Sequence, residues 1–228
     1  MSIVAIVVAG GPGSRLGADV PKGFVRLAGE ALMARSLRAM LASPVVSRAV
    51  VVVPPGHTDE AKALLESARD ARPLLVIEGG VERQDSVRNG LAAAGDADVV
   101  AIHDAARPFV SRAAVDDAIA TARQYGAAIV ATPATDTIKL VHPDGWVETT
   151  PPRDRLWLAQ TPQVFRANLL RRAHARAPHS LATDDALLVE ALGERVYVVR
   201  GNPENRKITT PDDLRWAEAL LARAPAPR

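Results

Sequence analysis

Ile3-Val4-Ala5-Ile6-Val7-Val8-Ala9, then Gly10-Gly11-Pro12-Gly13-Ser14-Arg15-Leu16-Gly17, then Pro21-Lys22 is the stretch whose reading decides the fold. Seven apolar residues without polar alternation describe a strand buried on both faces, and the run empties into a glycine-rich loop carrying two cations. Glycines let backbone N–H groups approach an anion without interference from Cβ, while Arg15 and Lys22 supply positive charge. The segment therefore predicts a polyphosphate site, and with it a nucleotide.

Two better-known phosphate loops do not fit. The dinucleotide fingerprint wants a third glycine where Leu16 stands, and an acidic residue at the end of the second strand. The second candidate strand, 48–53, runs instead into Pro54-Pro55-Gly56, so no carboxylate waits for a ribose hydroxyl and a nicotinamide cofactor is disfavoured. The NTPase loop ends in Gly-Lys-Ser/Thr, whereas Lys22 follows Pro21 and precedes Gly23.

Composition narrows the class further. The chain has 228 residues, 48% hydrophobic and 24% charged, which suits one globular domain over 1–228. Its 28 Lys and Arg residues are scattered and the net charge is only +2, so nucleic acid is not implied. Zero cysteines exclude disulfides, thiolate metal sites and a cysteine nucleophile. The apolar run at 3–9 lacks a basic leader and ends in glycines, which reads as a strand and not a secretory signal or membrane span. A cytoplasmic protein is expected, with a frayed end at Ala224-Pro225-Ala226-Pro227-Arg228.

Along the chain, apolar runs near 3–9, 48–53, 74–78, 98–102, 127–131 and 195–199 alternate with helical patterns near 31–42, 58–69, 83–94, 112–124, 166–176 and 184–192. That is βαβ grammar, and it predicts an α/β three-layer sandwich: a mostly parallel sheet with helices on both faces and ligands beyond the carboxyl ends of the strands. One stretch departs from it. Thr137 to Val141 and Trp146 to Thr150 flank His142-Pro143-Asp144-Gly145, a hairpin signal. Since a lone hairpin is marginal in water, this arm, at about 134–156, must pack on its own domain or on a second subunit, and the second is favoured. Thr210-Pro211-Asp212-Asp213 and Thr183-Asp184-Asp185 read as helix caps with acids in the first turn.

The candidate chemistry sits at strand ends. His103-Asp104-Ala105-Ala106-Arg107-Pro108 places a carboxylate beside the expected phosphate loop, where Asp104 either holds Mg²⁺, which needs only one or two carboxylates, or pairs with Arg107 to pin the loop. Gly79-Gly80 leads through Val81 into Glu82-Arg83-Gln84-Asp85-Ser86, with Ser86 the residue expected to touch a nucleotide and Glu82, Arg83 and Asp85 read as a solvated first turn. Further on stand Arg153, Gln160-Thr161-Pro162-Gln163 and Asn205-Arg206-Lys207, cations of the kind that recognise phosphate.

Taken in order, Ala9-Gly10-Gly11-x-Gly13-x-Arg15-Leu16-Gly17 with Pro21-Lys22, Gly79-Gly80 with Asp85-Ser86-Val87, His103 to Pro108, Asp136-Thr137-x-Lys139, Thr161-Pro162-Gln163 and Asn205-x-Lys207-Ile208-Thr209 resemble the 2-C-methyl-D-erythritol 4-phosphate cytidylyltransferases nearly end to end. The resemblance implies a Rossmann-like nucleotidyltransferase fold, GT-A-like, with a protruding β-hairpin arm. It also implies a Mg²⁺-dependent reaction of CTP with methylerythritol phosphate that releases pyrophosphate. Carried over residue by residue, Arg15 and Lys22 stabilise charge at the α-phosphate and leaving group, and Ala9, Gly10, Gly11, Gly13, Gly80, Ser86, Asp104 and Ala105 line the CTP site. Arg107, Thr137 and Thr161 surround the acceptor, Arg153 and Lys207 orient its phosphate, Asp104 holds the metal, and the arm exchanges across a homodimer so that Arg153 serves the partner's site. Gly23, Val81 and Arg206 depart from the family's usual pattern, though none removes a charge the mechanism uses.

The chemistry agrees with the residues. The nucleophile is a phosphate monoester whose second pKa is about 6, so it is largely deprotonated at neutral pH and needs no general base. The work falls on bringing two polyanions together in line. A ribitol 5-phosphate cytidylyltransferase and a catalytically silent nucleotide-binding subunit are the rival readings.

Overall fold

The structure, a computed structural model, describes residues 1–11, 13–176 and 182–223. The expectation for 224–228 lies outside the described residues. In chain order the elements are β1 (Ile3–Val8), β2 (Arg26–Leu27), β3 (Glu30–Ala31), α1 (Leu32–Leu41), β4 (Arg48–Val53), α2 (Thr58–Leu65), β5 (Leu74–Glu78), α3 (Arg83–Ala93) and β6 (Val99–Asp104). They continue with α4 (Arg112–Tyr125), β7 (Ala127–Pro133), β8 (Leu140–Val141), β9 (Val147–Thr149), β10 (Trp157–Arg166), α5 (Ala167–Arg176), α6 (Asp185–Glu190), β11 (Tyr197–Arg200) and α7 (Pro211–Arg223).

Seven strands form one sheet in the order β11-β7-β10-β6-β1-β4-β5. Apolar side chains cover both faces, as the unbroken runs predict. One face packs Leu37 and Met40 of α1, Leu65 of α2 and Val115, Ile119 of α4 on Ala5, Val7 and Val51. The other packs Val87 and Leu91 of α3, Leu170 of α5 and Val189 of α6 on Val4, Ile6, Val50 and Ile102. The chain leaves β1 toward β4 and β5, then returns to place β6 on the other side of β1. The crevice beyond the carboxyl ends of β1 and β6 is therefore the switch point where open α/β sheets bind ligands, and the strands end there in register, Val8 against Asp104.

The sequence reading did not contain β10. This strand lies between β7 and β6 and runs antiparallel to both. Pro162 near its middle argues against a central strand, because proline cannot donate to the ladder. The structure accommodates it with a register shift between Ala159 and Gln163, a bulge that turns Gln160 and Thr161 into the buried interior.

The hairpin arm is present but short, β8 against β9, with Lys139 Nζ donating to Thr150 Oγ1 at 2.8 Å across it. Leu140, Val141, Trp146 and Val147 on it are exposed. Both predicted caps form. Asp184 accepts from Leu187 N, and Asp213 Oδ2 accepts from Thr209 N and Thr210 N. Asp185, in the first turn of α6, is buried at 1% exposure and ion-paired with Arg83.

Candidate active site

β1 delivers the glycine loop to the switch point. Lys22 N donates to Gly11 O at 3.0 Å, which folds the loop back on itself, and Gly13 O accepts from Leu16 N at 2.8 Å. Gly13 is required here: a Cβ on it would lie 2.0 Å from Val20 O. The result is a cleft of about 260 Å³ lined by Arg15 and Lys22 of this loop, Asp104 and Lys207, from three separate parts of the chain, with Ala9, Gly10, Gly11, Gly80, Ser86 and Ala105 in its walls. Gly13 lines a wider continuation of about 890 Å³ that shares Gly10, Gly11, Gly80 and Val81 with the cleft and runs past Pro54, Pro55 and His57.

Positive charge converges on one carboxylate. Lys207 Nζ approaches Asp104 at 2.7 Å, Arg83 Nε at 3.6 Å and Arg107 Nε at 3.9 Å. Burial alone would raise the Asp104 carboxyl, but Arg83, Lys207 and Arg107 outweigh it and hold it well below the ordinary aspartate range. Lys22 is 6% exposed, and its ammonium is pushed below the ordinary lysine value first by burial and then by Lys207 and Arg15. Like charges this close mark a place built for a polyanion.

The distant motifs meet because side chains tie them together. Arg107 Nη1 donates to Asn205 O at 2.8 Å and Ile208 N to Ala106 O at 2.8 Å, which pins the segment carrying Lys207 onto the loop after β6. Asn205, fully buried, donates to Gln160 Oε1 and Thr161 O. Beneath the loop, His103 Nε2 faces Arg107 O at 3.0 Å and its Nδ1 faces Thr161 Oγ1 at 2.9 Å. A carbonyl only accepts, so Nε2 carries the proton; Nδ1 then accepts from the Thr161 hydroxyl, whose oxygen accepts from Asp104 N at 3.1 Å. Burial pushes the His103 pKa down to about 4, consistent with this neutral form. The Thr161 proton is thus spent inside the protein.

Ser86 Oγ accepts from Gly80 N and donates to Glu82 O, shaping the turn whose wall it forms. Thr137 and Arg153 belong to the arm and are exposed; Arg153 Nη1 donates to Thr135 O at 2.9 Å, and neither residue lines the cleft. Arg107 borders Asp104 without lining the cleft, and its buried Nε has no hydrogen-bond partner. Val81 is 97% exposed at the rim, Gly23 has its Cβ position 2.7 Å from Ala9 Cβ, and Arg206 pairs with Asp213 and lies over Trp216. The residue the sequence reading missed is Arg83, which sits in the cleft wall and not in solvent.

Among the described residues no group of three or more His, Cys, Asp or Glu side chains is placed to hold a metal, and no helix is long and apolar enough to cross a membrane.

The chain is similar over nearly its whole length to several known proteins. A relative from Geobacter metallireducens, a 2-C-methyl-D-erythritol 4-phosphate cytidylyltransferase, is 44% identical and covers 97% of this chain and 98% of its own. The crystal structure of 4-diphosphocytidyl-2C-methyl-D-erythritol synthase from Anaerococcus prevotii superposes with a TM-score of 0.87 at 30% identity, over 97% of this chain and 96% of that one. That of the cytidylyltransferase from Thermus thermophilus gives 0.78 at 35% identity, over 97% and 100%. The profile of the 2-C-methyl-D-erythritol 4-phosphate cytidylyltransferase family matches residues 3–223, and the chain belongs to that family.

Proposed function

We infer that this enzyme transfers the cytidylyl group of CTP to 2-C-methyl-D-erythritol 4-phosphate, giving 4-diphosphocytidyl-2-C-methyl-D-erythritol and pyrophosphate. One observation carries the assignment of residues. Arg15, Lys22, Asp104 and Lys207 share a single cleft at the switch point, as a triphosphate held for attack requires. An oxygen of the acceptor's phosphate bonds to the α-phosphorus of CTP, and the bond from that phosphorus to the bridging oxygen of the β-phosphate breaks. The leaving pyrophosphate takes that electron pair. Arg15 and Lys22 face the charge that develops on the leaving group, and the glycine loop with Gly80 and Ser86 receives the nucleotide. Lys207 faces the acceptor, while Arg107 and Thr161, behind Asp104, brace the loop that presents it.

Asp104 suits a Mg²⁺ ion, because a single carboxylate plus triphosphate oxygens and water completes the coordination this hard cation prefers. When bound, the metal would neutralise phosphate charge. The arm's exposed apolar residues support a homodimer in which Thr137 and Arg153 complete the partner's site, and the chain reads as one catalytic domain that carries this arm. A cytoplasmic location is supported by the apolar run at 3–9 being a central strand of the sheet.

The test is to supply CTP, Mg²⁺ and either methylerythritol phosphate or ribitol 5-phosphate, and to follow pyrophosphate. Release with the first acceptor and a loss of about a hundred- to a thousandfold in Lys22→Ala are expected. CTP binding without turnover of either acceptor overturns the reading.

A further inference from the structure

Arg83 differs from the other cations at Asp104 in being ion-paired from behind. Its Nη2 lies 2.8 Å from Oδ2 of Asp185, an ion pair rather than an aligned hydrogen bond, while its Nε faces Asp104. Asp185 is 1% exposed at the start of α6 and does not line the cleft. It is fixed in turn. His174 Nε2 of α5 stands 3.2 Å from its Oδ1, and Gln163 Oε1 of β10 accepts from both Asp185 N and Ala186 N while Gln163 Nε2 donates to Asp184. Burial would raise the Asp185 carboxyl, yet Arg83 and His174 keep it below the ordinary range, so the pair is ionised.

The anchoring separates Arg83 from its neighbours. Lys207 is 40% exposed on a flexible stem, free to exchange Asp104 for an incoming phosphate. Arg83 cannot leave with it, because that would take away the cation that neutralises the buried Asp185 carboxylate. We propose that Arg83 is a positioning residue that holds the Asp104 carboxylate in its working orientation while the other cations turn to substrate, with Asp185, seated by Gln163 and His174, setting Arg83. This gives a purpose to Gln163, which the sequence motif contains but the reaction does not otherwise use. The proposal rests on the cytidylyltransferase reading of the cleft.

Asp185→Asn is the informative variant, since it changes no cleft-lining side chain chemically and acts only through Arg83. Turnover by the wild-type chain first establishes the reaction, so its absence would count against the function and not against this brace. With wild-type turnover in hand, Asp185→Asn is expected to lower kcat about ten- to a hundredfold with the KM for CTP changed less than about threefold. The same substitution should move the Asp104 side-chain carboxyl ¹³C resonance in ligand-free, metal-free protein. Arg83→Gln/Asp185→Asn, which leaves no unpaired buried charge, controls for folding: it should melt near the wild type and keep the kcat defect. A kcat restored in the double variant, or an unmoved Asp104 resonance with wild-type kcat in Asp185→Asn, overturns the proposal.

Discussion

Lys207 Nζ meets Asp104 Oδ2 at 2.7 Å, joining the segment ahead of the last helix to the last residue of β6. The contact occupies the carboxylate with a half-exposed cation that backbone bonds hold in place at Ile208 and Asn205. It neutralises a buried charge, and on the proposed reading the same ammonium turns to phosphate when substrates bind. Lys207→Ala should therefore leave the fold intact, because Arg83 and Arg107 still face Asp104, while kcat falls about a hundred- to a thousandfold. Steady-state kinetics beside thermal unfolding checks this, and a near-normal kcat would remove Lys207 from the reaction.

Gly13 and Gly11 separate loop shape from ligand approach. A Cβ at Gly13 collides with Val20 O, so Gly13→Ala must open the loop, lower the thermal midpoint and raise the CTP KM at least tenfold, about 1.4 kcal/mol. At Gly11 nothing lies within 4 Å of a Cβ, so Gly11→Ala should leave the ligand-free midpoint unchanged. CTP affinity should still fall in that variant, because the added methyl stands where the phosphates approach the backbone. Calorimetry showing wild-type affinity for Gly11→Ala would place the phosphates elsewhere.

His103 gives a pH dependence with a defined sign. Its folded pKa of about 4 lies below the ordinary 6.5, so between these values the unfolded chain binds the extra proton. Stability is then intact above pH 6.5 and is lost as pH falls toward 4, by up to about 3 kcal/mol. Urea unfolding at a series of pH values through this window should show the slope, and His103→Asn should flatten it whatever its effect at pH 7. An equal slope in the variant would assign the loss to other groups.

The sheet and the glycine loop at its switch point were legible because both are local: an apolar run fixes a buried strand, and the glycines after it fix a tight loop. Asp104 was legible too, lying at a strand end beside that loop. What escaped was set by contacts remote in sequence. β10 was hidden by Pro162, which only a bulge admits. Arg83 was hidden because Glu82-Arg83-Gln84-Asp85 has the composition of a solvated helix start; the capping box between Glu82 and Asp85 is real, and only the buried Asp185, far along the chain, turns Arg83 inward. Thr161 was expected on the acceptor, yet its proton belongs to His103, a partnership that no spacing announces.

Arg153 and Lys22 offer a test of the subunit arrangement that needs no structure of the complex. Arg153 sits on the exposed arm, tied to Thr135 O, whereas Lys22 is buried in the cleft of its own chain. If the arm crosses a two-fold axis, Arg153→Ala and Lys22→Ala chains each form inactive homodimers. Mixed after dissociation, they form heterodimers as about half of all dimers, and each heterodimer contains one site with both residues intact. About a quarter of wild-type activity should then return, with a dimer seen by sedimentation equilibrium. Trp146→Glu, which places a charge on the arm's apolar surface, should lower both the dimer fraction and the recovered activity. If the mixture stays inactive although heterodimers form, Arg153 acts within its own chain; if the Arg153→Ala chain is active alone, the arm is a dimer contact without a catalytic share.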